Sequence, residues 1–319
     1  MIQSNQTISI VLPVFNGENT VLKAIQSIQQ QTFTNWELII VDDESNDNSY
    51  KLCLENANFD KRINVYQNNK NLGLAKTMNR LISLSNGKYI AIQEQDDCSL
   101  PDRLEKEIRI LDHHHEVGIV SGIARWIDNQ GQFLTNFPGF LSNGNQYPQD
   151  FQSMVSFLYT EQCKVVNSAC MVRRSVFDLV EGPFDPNAKM SIDWQFFIHA
   201  AHFIKIWGIP EALVTMLRDS THTHLTQNKQ LQFIEARRCI QIIYDKYKYD
   251  PKSPINNNLL KRALVTQQLL ECRHFINIHG FLLLIKSIFM TPFNPKIFEQ
   301  IDWYWQKLMN KIARNFQST

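Results

Sequence analysis

The feature that most constrains this chain is a repeated alternation in its first third. Four short apolar, β-branched runs, Ile8 to Val14, Trp36 to Val41, Ile63 to Tyr66 and Tyr89 to Ile92, are separated by segments of helical period. Val21, Ala24, Ile25 and Ile28 mark one helix between about Asn19 and Gln31, and Leu74, Met78, Leu81 and Ile82 mark another. The polar loop Asp42 to Ser49 opens a helix between the second and third runs. A strand followed by a helix and another strand implies a parallel crossover, so this order predicts an α/β fold. The expected architecture is a mostly parallel central sheet with helices on both faces. The near-continuous apolar character of Trp36 to Val41 fits a strand covered on both sides. Pro13 keeps the first strand from being an ordinary central ladder to its end.

The strand ends carry the chemistry. In Lys88 to Arg103, KYIAIQEQDDCSLPDR, a short apolar strand runs out into Glu94, Asp96 and Asp97. Carboxylates at the carboxyl end of a central strand sit where open α/β sheets bind ligands. Glu94 and Asp96, offset by two in an extended segment, would point the same way. Oxygen ligands of that kind suit Mg²⁺ or Mn²⁺ completed by phosphate oxygens, or else simply favour the start of the next helix. Asp43, at the end of the second strand, could accept hydrogen bonds from a nucleobase or cap its own turn. Phe15, just past the first strand, could stack on that base or belong to the core. Asp193 stands among Ile192, Trp194, Phe196 and Phe197. There it is either a general base of tuned strength or a helix cap beside Ser191.

Several classes are excluded. Gly17 stands alone after Pro13, so the GxGxxG cradle of dinucleotide enzymes is missing, as is the GxxxxGK[ST] phosphate loop. The formal charge is +1, which advertises no nucleic acid. Asp43-x-Ser45-x-Asp47 lacks the glycine and closing glutamate of a calcium loop. The six cysteines show no zinc spacing, and the start lacks the basic region and apolar core of a signal peptide. Free thiols and a cytoplasmic location are therefore expected. No apolar run is long enough to span a bilayer.

Beyond Arg103, Leu104, Ile108 and Leu111 predict a helix ending at His113 to His115, and Val117 to Ser121 a strand. Asp128 to Asp150 has no period and is expected to be a long loop. Cys163 to Val172 returns to order, a helix starts at Ser175 and another near Ile192, and Phe203 to Trp207 and Leu213 to Leu217 are expected as two strands. From about Leu231 the pattern is helical to the end. The basic residues of these helices are either solvated or in contact with an anionic membrane surface.

The segments ISIVLPVFNG, AIQSIQQQTFTNWELIIVDDESNDNS, NLGLAKTMNRLISLSNGKYIAIQEQDD and SLPDRLEKEIRIL, in this order and spacing, resemble family 2 glycosyltransferases. These are inverting enzymes of the A-type (GT-A) nucleotide-sugar fold. The resemblance covers roughly residues 8 to 112 and continues more weakly to about 226. It implies a glycosyltransferase domain over 1–228, with a donor half at 8–125 and an acceptor half at 126–228, and a helical extension over 229–319. The family's PVYN tyrosine falls on Phe15, the second aspartate of VDD on Asp43, and DxD on Glu94-Gln95-Asp96. Asp96 is then the implied metal ligand, for Mn²⁺ or Mg²⁺. Pro13, Phe15, Asn16, Asp43, Gly73, Lys76, Glu94 and Gln95 are implied to hold a nucleotide sugar, a UDP-sugar foremost. Asp193 is the implied base, with Ile192 where the family has a glutamate. Asp97, Arg218, His222 and His224 are candidate acceptor or diphosphate contacts; Ser220 replaces a histidine that often follows the arginine. The implied acceptor is a glycan or lipid-linked glycan of a surface polysaccharide or lipopolysaccharide, reached from the cytoplasmic membrane face. The alternative is an inactive nucleotide-binding module in a polysaccharide-assembly complex.

Overall fold

A computed structural model describes residues 7–161, 164–218, 228–274, 278–290, 296–297, 299–303 and 306–307. The chain begins with β1 (Ile8–Val14), α1 (Val21–Gln29), β2 (Trp36–Asp42), α2 (Ser49–Phe59), β3 (Ile63–Gln67), α3 (Leu74–Leu84) and β4 (Tyr89–Ile92). These strands pair in parallel in the order β3-β2-β1-β4. Their inward residues, among them Ile8, Ile10, Leu12, Trp36, Leu38 and Tyr89, are fully buried in one apolar cluster. Pro13 pairs with Val41 of β2, while β4 stays in register with β1 only as far as Val11. The proline thus lies past the end of one ladder, where its missing N–H leaves no gap.

The chain continues through β5 (Asp97–Ser99), α4 (Arg103–His113), β6 (Val117–Ile127), β7 (Phe133–Phe137), α5 (Gly139–Ser142) and α6 (Phe151–Thr160). Then come β8 (Cys170–Arg173), α7 (Arg174–Leu179), α8 (Ile192–Ala200) and β9 (Lys205–Leu217). Here the expectation of a mostly parallel, Rossmann-like GT-A sheet is overturned, because the nine-stranded sheet is mixed. β8 runs antiparallel to both β4 and β6, β7 antiparallel to β6, and β5 antiparallel to β9; β9 alone of these pairs in parallel, with β6. The reason is connectivity. After β4 strands no longer alternate strictly with helices, and a hairpin such as β6–β7 enforces an antiparallel pair.

That hairpin occupies part of the segment expected to be a long loop. Asp128 Oδ1 accepts the N–H groups of Gln130 and Gln132 at 2.9 and 2.8 Å, and Gly131 takes φ 78°. The two strands expected near Phe203 and Leu213 are one, β9, whose register on β6 slips around Pro210. β6 itself runs six residues past Ser121.

The chain divides into two compact units, residues 1–154 with 163–227, and residues 155–162 with 228–319. The second contains α9 (Lys229–Tyr247), α10 (Asn257–His274) and α11 (Ile278–Met290). Asn228 caps α9 by accepting the Leu231 N–H at 3.0 Å. Val265, Leu269, Cys272, Leu284 and Ile297 form its buried cluster. No helix among the described residues is long and apolar enough to cross a membrane.

In the first unit, one guanidinium joins several elements. Arg103 is completely buried, and all five of its N–H groups have acceptors. Nη2 donates to the carbonyls of Ile92 and Cys170 at 2.8 and 3.1 Å, and Nη1 to Ser99 Oγ and Gln93 Oε1 at 2.9 and 3.2 Å. Nε faces the carboxylate of Glu107, one helical turn on, at 3.2 Å. Burial pushes the Glu107 carboxyl up to about 7, although Arg103 pulls the other way. Removing one partner of such a pair strands the others and typically costs about 3–5 kcal/mol. Arg103→Leu should therefore lower the melting temperature of the protein by about 6 °C or more. Differential scanning calorimetry measures this directly; a shift under about 2 °C would show that these carbonyls and acids find other partners.

Candidate active site

The parallel strands β1, β2 and β4 deliver Phe15, Asp43 and the acids of 94–97 to the same edge of the sheet. After β4 the chain makes a turn closed by the Asp97 N–H to the Glu94 carbonyl, 3.3 Å, and re-enters the sheet as β5. This turn replaces the extended geometry expected for Glu94 and Asp96, and it gathers a third acid. Carboxylate oxygens of Glu94, Asp96 and Asp97 all lie within 4.8 Å of one another.

Crowding three carboxylates in a poorly solvated corner favours their protonated forms. Burial, then Asp96, push Glu94 up to about 7, and Asp193 adds to the rise. Burial, Glu94 and Asp96 push Asp97 well above the usual carboxylate range. Two neutral donors oppose this: Asn167 Nδ2 donates to Glu94 Oε1 at 2.9 Å, and Ser168 Oγ donates to Asp97 Oδ2. Arg218 also lowers both, which places its guanidinium in electrostatic reach of the cluster. An all-oxygen donor set with surplus negative charge fits a hard divalent cation such as Mg²⁺ or Mn²⁺.

Arg218 follows β9, its N–H bonded to the Ile127 carbonyl at 2.8 Å. Its guanidinium lies over the Trp126 ring, 4.9 Å from the centroid, and Trp126 stacks in turn on Phe137 at 5.5 Å. The cation is thus backed by the β6–β7 hairpin. Asp193 sits in the first turn of α8, after Ser191 in the left-handed region at φ 59°. Ser191 makes no side-chain cap bond, and Asp193 is partly exposed. His222 and His224 lie outside the described residues.

On the β1–β2 side, Phe15 is 42% exposed and available as a flat surface. Asn16, at φ 49°, ties this loop to the next: its N–H donates to Ser45 Oγ and its Oδ1 accepts the Asn46 N–H, both at 2.9 Å. Asp43 is buried, with Oδ1 accepting from Asn68 Nδ2 and the Leu72 N–H at 2.6 and 2.8 Å. Its Oδ2 accepts from the Gly73 N–H at 2.8 Å. A carboxylate offers about four acceptor positions, so one remains on Oδ2. Gly73, at φ 84°, starts α3, and Lys76 stands exposed in its first turn. Gln95 turns toward the Phe15 backbone and bonds to it through both amide atoms.

Asn167, Ser168, Trp126 and Arg103 were not found from the sequence. Asn167 and Ser168 arrive on a 3₁₀ turn (Asn167–Ala169) just before β8, and VVNSAC has no period or motif that marks it. Arg103 and Glu107 did carry a signal, an i,i+4 charge pair beside the Leu104, Ile108 and Leu111 stripe.

The chain resembles the putative glycosyltransferase EpsE of Bacillus subtilis, at 37% identity over 118 residues, 37% of this chain and 42% of that one. It also resembles an Escherichia coli protein, the UDP-Glc:alpha-D-GlcNAc-diphosphoundecaprenol beta-1,3-glucosyltransferase WfgD. There the identity is 35% over 104 residues, 33% of this chain and 40% of that one. The chain therefore spans less than half the length of either relative. In fold it matches the crystal structure of Staphylococcus aureus TarS 1–349, with a TM-score of 0.63 and 16% identity, covering 88% of this chain and 78% of that one. The model of glycosyl transferase family 2 matches residues 9–180, more than half the chain, so the protein belongs to that family.

Proposed function

We propose that this protein is a metal-dependent inverting glycosyltransferase that moves a sugar from a UDP-sugar to a hydroxyl of a glycan or lipid-linked glycan. The observation that carries this reading is the convergence of Glu94, Asp96 and Asp97 on one turn, with Asp193 and Arg218 in electrostatic reach. WfgD, whose name gives UDP-glucose as donor and a diphosphoundecaprenol-linked sugar as acceptor, supports the choice of nucleotide and acceptor class. Residues 1–228 carry the transfer, with the donor half at 8–125 and the acceptor half at 126–228, and 229–319 form the helical extension.

In this reading Phe15 stacks on the uracil, and the open position on Asp43 Oδ2 accepts from its edge. Pro13, Asn16 and Gly73 shape the donor loops, and Lys76 faces the nucleotide from α3. Asp96, with Glu94 and Asp97 beside it, would hold Mn²⁺ or Mg²⁺, which when bound would supply Lewis-acid stabilisation to the departing diphosphate. Arg218 neutralises the same group. A carboxylate oxygen of Asp193 takes the proton of the acceptor hydroxyl as that oxygen attacks the anomeric carbon. The C–O bond to the diphosphate breaks on the opposite side, and the configuration inverts.

Because Glu94 and Asp97 hold protons well above the usual carboxylate range, cation binding must displace them. UDP binding with Mn²⁺ should therefore tighten as pH rises from 6 to 8, through the Glu94 value of about 7. Asp96→Ala should lose the metal-dependent part of that binding at both pH values without unfolding. Isothermal titration calorimetry at the two pH values checks both points. A pH-independent wild type, or an unchanged mutant, removes the metal assignment.

Asp193→Asn keeps shape and capping capacity but not the proton-accepting charge. Turnover should fall by about 10²-fold or more, with UDP affinity unchanged. Steady-state kinetics with the acceptor decide it; near wild-type turnover would make Asp193 a helix-end acid only.

The second unit has 14 Lys and Arg against 7 Asp and Glu, whereas the first has 18 against 24. On α11, Leu282 and Phe289 are 57% and 83% exposed, and Lys286 shares their face. This supports peripheral contact of the extension with the anionic cytoplasmic face of a membrane. The full-length protein should float with vesicles containing phosphatidylglycerol and stay behind with pure phosphatidylcholine at low salt. Equal behaviour with both lipids would exclude the contact.

A further inference from the structure

Gln95 lies between the two acids of the proposed metal turn, yet its side chain is turned away from them. Its Oε1 accepts the Phe15 N–H at 2.9 Å and its Nε2 donates to the Phe15 carbonyl at 3.0 Å. The amide therefore clasps both backbone polar groups of the residue that carries the exposed ring. Gly17 closes the arrangement: a Cβ built there would lie 2.5 Å from Gln95 Oε1 and 2.7 Å from its amide carbon. Gly17 has an ordinary backbone conformation, so close approach of the amide, rather than φ, is what requires glycine here. Each end of the clasp is anchored independently. The Gly17 N–H donates to Ser49 Oγ at 2.7 Å, and Gln93, before the turn, is held by Ser99 and Arg103.

We infer that Gln95 is a positioning residue that couples the nucleobase platform to the metal turn, so that cation and nucleoside favour each other's binding even without a shared phosphate. Glu94, Gln95 and Asp96 are consecutive, so drawing the two flanking carboxylates onto one cation fixes the Gln95 backbone between them. The side chain transmits that placement to Phe15 through two hydrogen bonds, and a base stacked on Phe15 stabilises the turn in return. Any such coupling is reciprocal: the factor by which the cation tightens the base is the factor by which the base tightens the cation. This inference rests on the nucleotide-sugar reading of the site but concerns a residue whose amide need not touch the donor.

The probes are uridine, which has no phosphate to touch an ion, and UDP, each titrated with and without Mg²⁺ by NMR. In the wild type Mg²⁺ should tighten uridine about five-fold or more, the lower range of site-to-site coupling. In Gln95→Met, which keeps the bulk and loses both hydrogen bonds, the Mg²⁺ effect on uridine should fall below about two-fold, while UDP still binds in a Mg²⁺-dependent way. Gly17→Ala, which displaces the same amide from the other side, should give the same loss. Melting temperatures of both variants establish that they are folded, and a merely structural role would not change the ratio of affinities with and without Mg²⁺. Wild-type uridine binding indifferent to Mg²⁺, or equal coupling in wild type and both variants, overturns the inference and leaves the donor reading standing. A wild type that binds neither UDP nor uridine overturns both.

Discussion

The buried guanidinium of Arg103 is the constraint from which the geometry of this site follows. A cation with no solvent contact is tolerated only when each of its donors is met, and here they are met by four different pieces of chain. The carbonyl of Ile92 ends β4, that of Cys170 opens β8, Ser99 ends β5, and Glu107 lies on the helix that carries Arg103 itself. The acid-bearing turn begins just after Gln93 and ends at β5, so both of its anchors are bound to the same planar group. Fixing the two ends of so short a segment fixes what lies between. Three acids can then be gathered within 4.8 Å of one another because the turn that carries them is pinned at both ends.

The same reasoning extends outward from the turn. Gln95 passes its position to Phe15, Asn16 bonds to Ser45 and Asn46, and Asp43 gathers the N–H groups of Leu72 and Gly73. Each loop that follows a parallel strand is thus tied to its neighbour by side chain to backbone hydrogen bonds. A loop so tied has fewer arrangements to lose, and less binding free energy is lost to ordering it. Arg218 is managed differently: the face of its guanidinium is covered by the Trp126 ring, and its Nη2 reaches Met216 Sδ at 3.6 Å.

Sequence periodicity revealed the first four strands nearly to the residue and the existence of the helices between them, because β1, β2 and β4 are buried parallel strands and α1 and α3 carry clear apolar stripes. It failed on the sheet as a whole. The direction of β8 and of β7 is set by pairings with β4 and β6, and no local pattern in CMVR or FLTNF encodes an antiparallel partner. Phe133 and Leu134 are exposed on β7, so that strand lacks even the alternation that would have separated it from a loop.

The site divides along the same line. Residues that end parallel strands, Phe15, Asp43 and the acids after β4, were legible because position at a strand terminus is itself the signal. Those that hold them were not. Asn167 donates to Glu94 across 73 residues and Ser168 to Asp97 across 71, and both depend on β8 lying antiparallel beside β4. Had the sheet continued in parallel, β8 would have entered it from the opposite end and carried the 3₁₀ turn away from the acids. The antiparallel reversal, which periodicity alone did not disclose, is therefore what sets neutral donors against Glu94 and Asp97. Those donors oppose the protonation that burial favours, and so keep the carboxylates closer to the charged form a divalent cation requires.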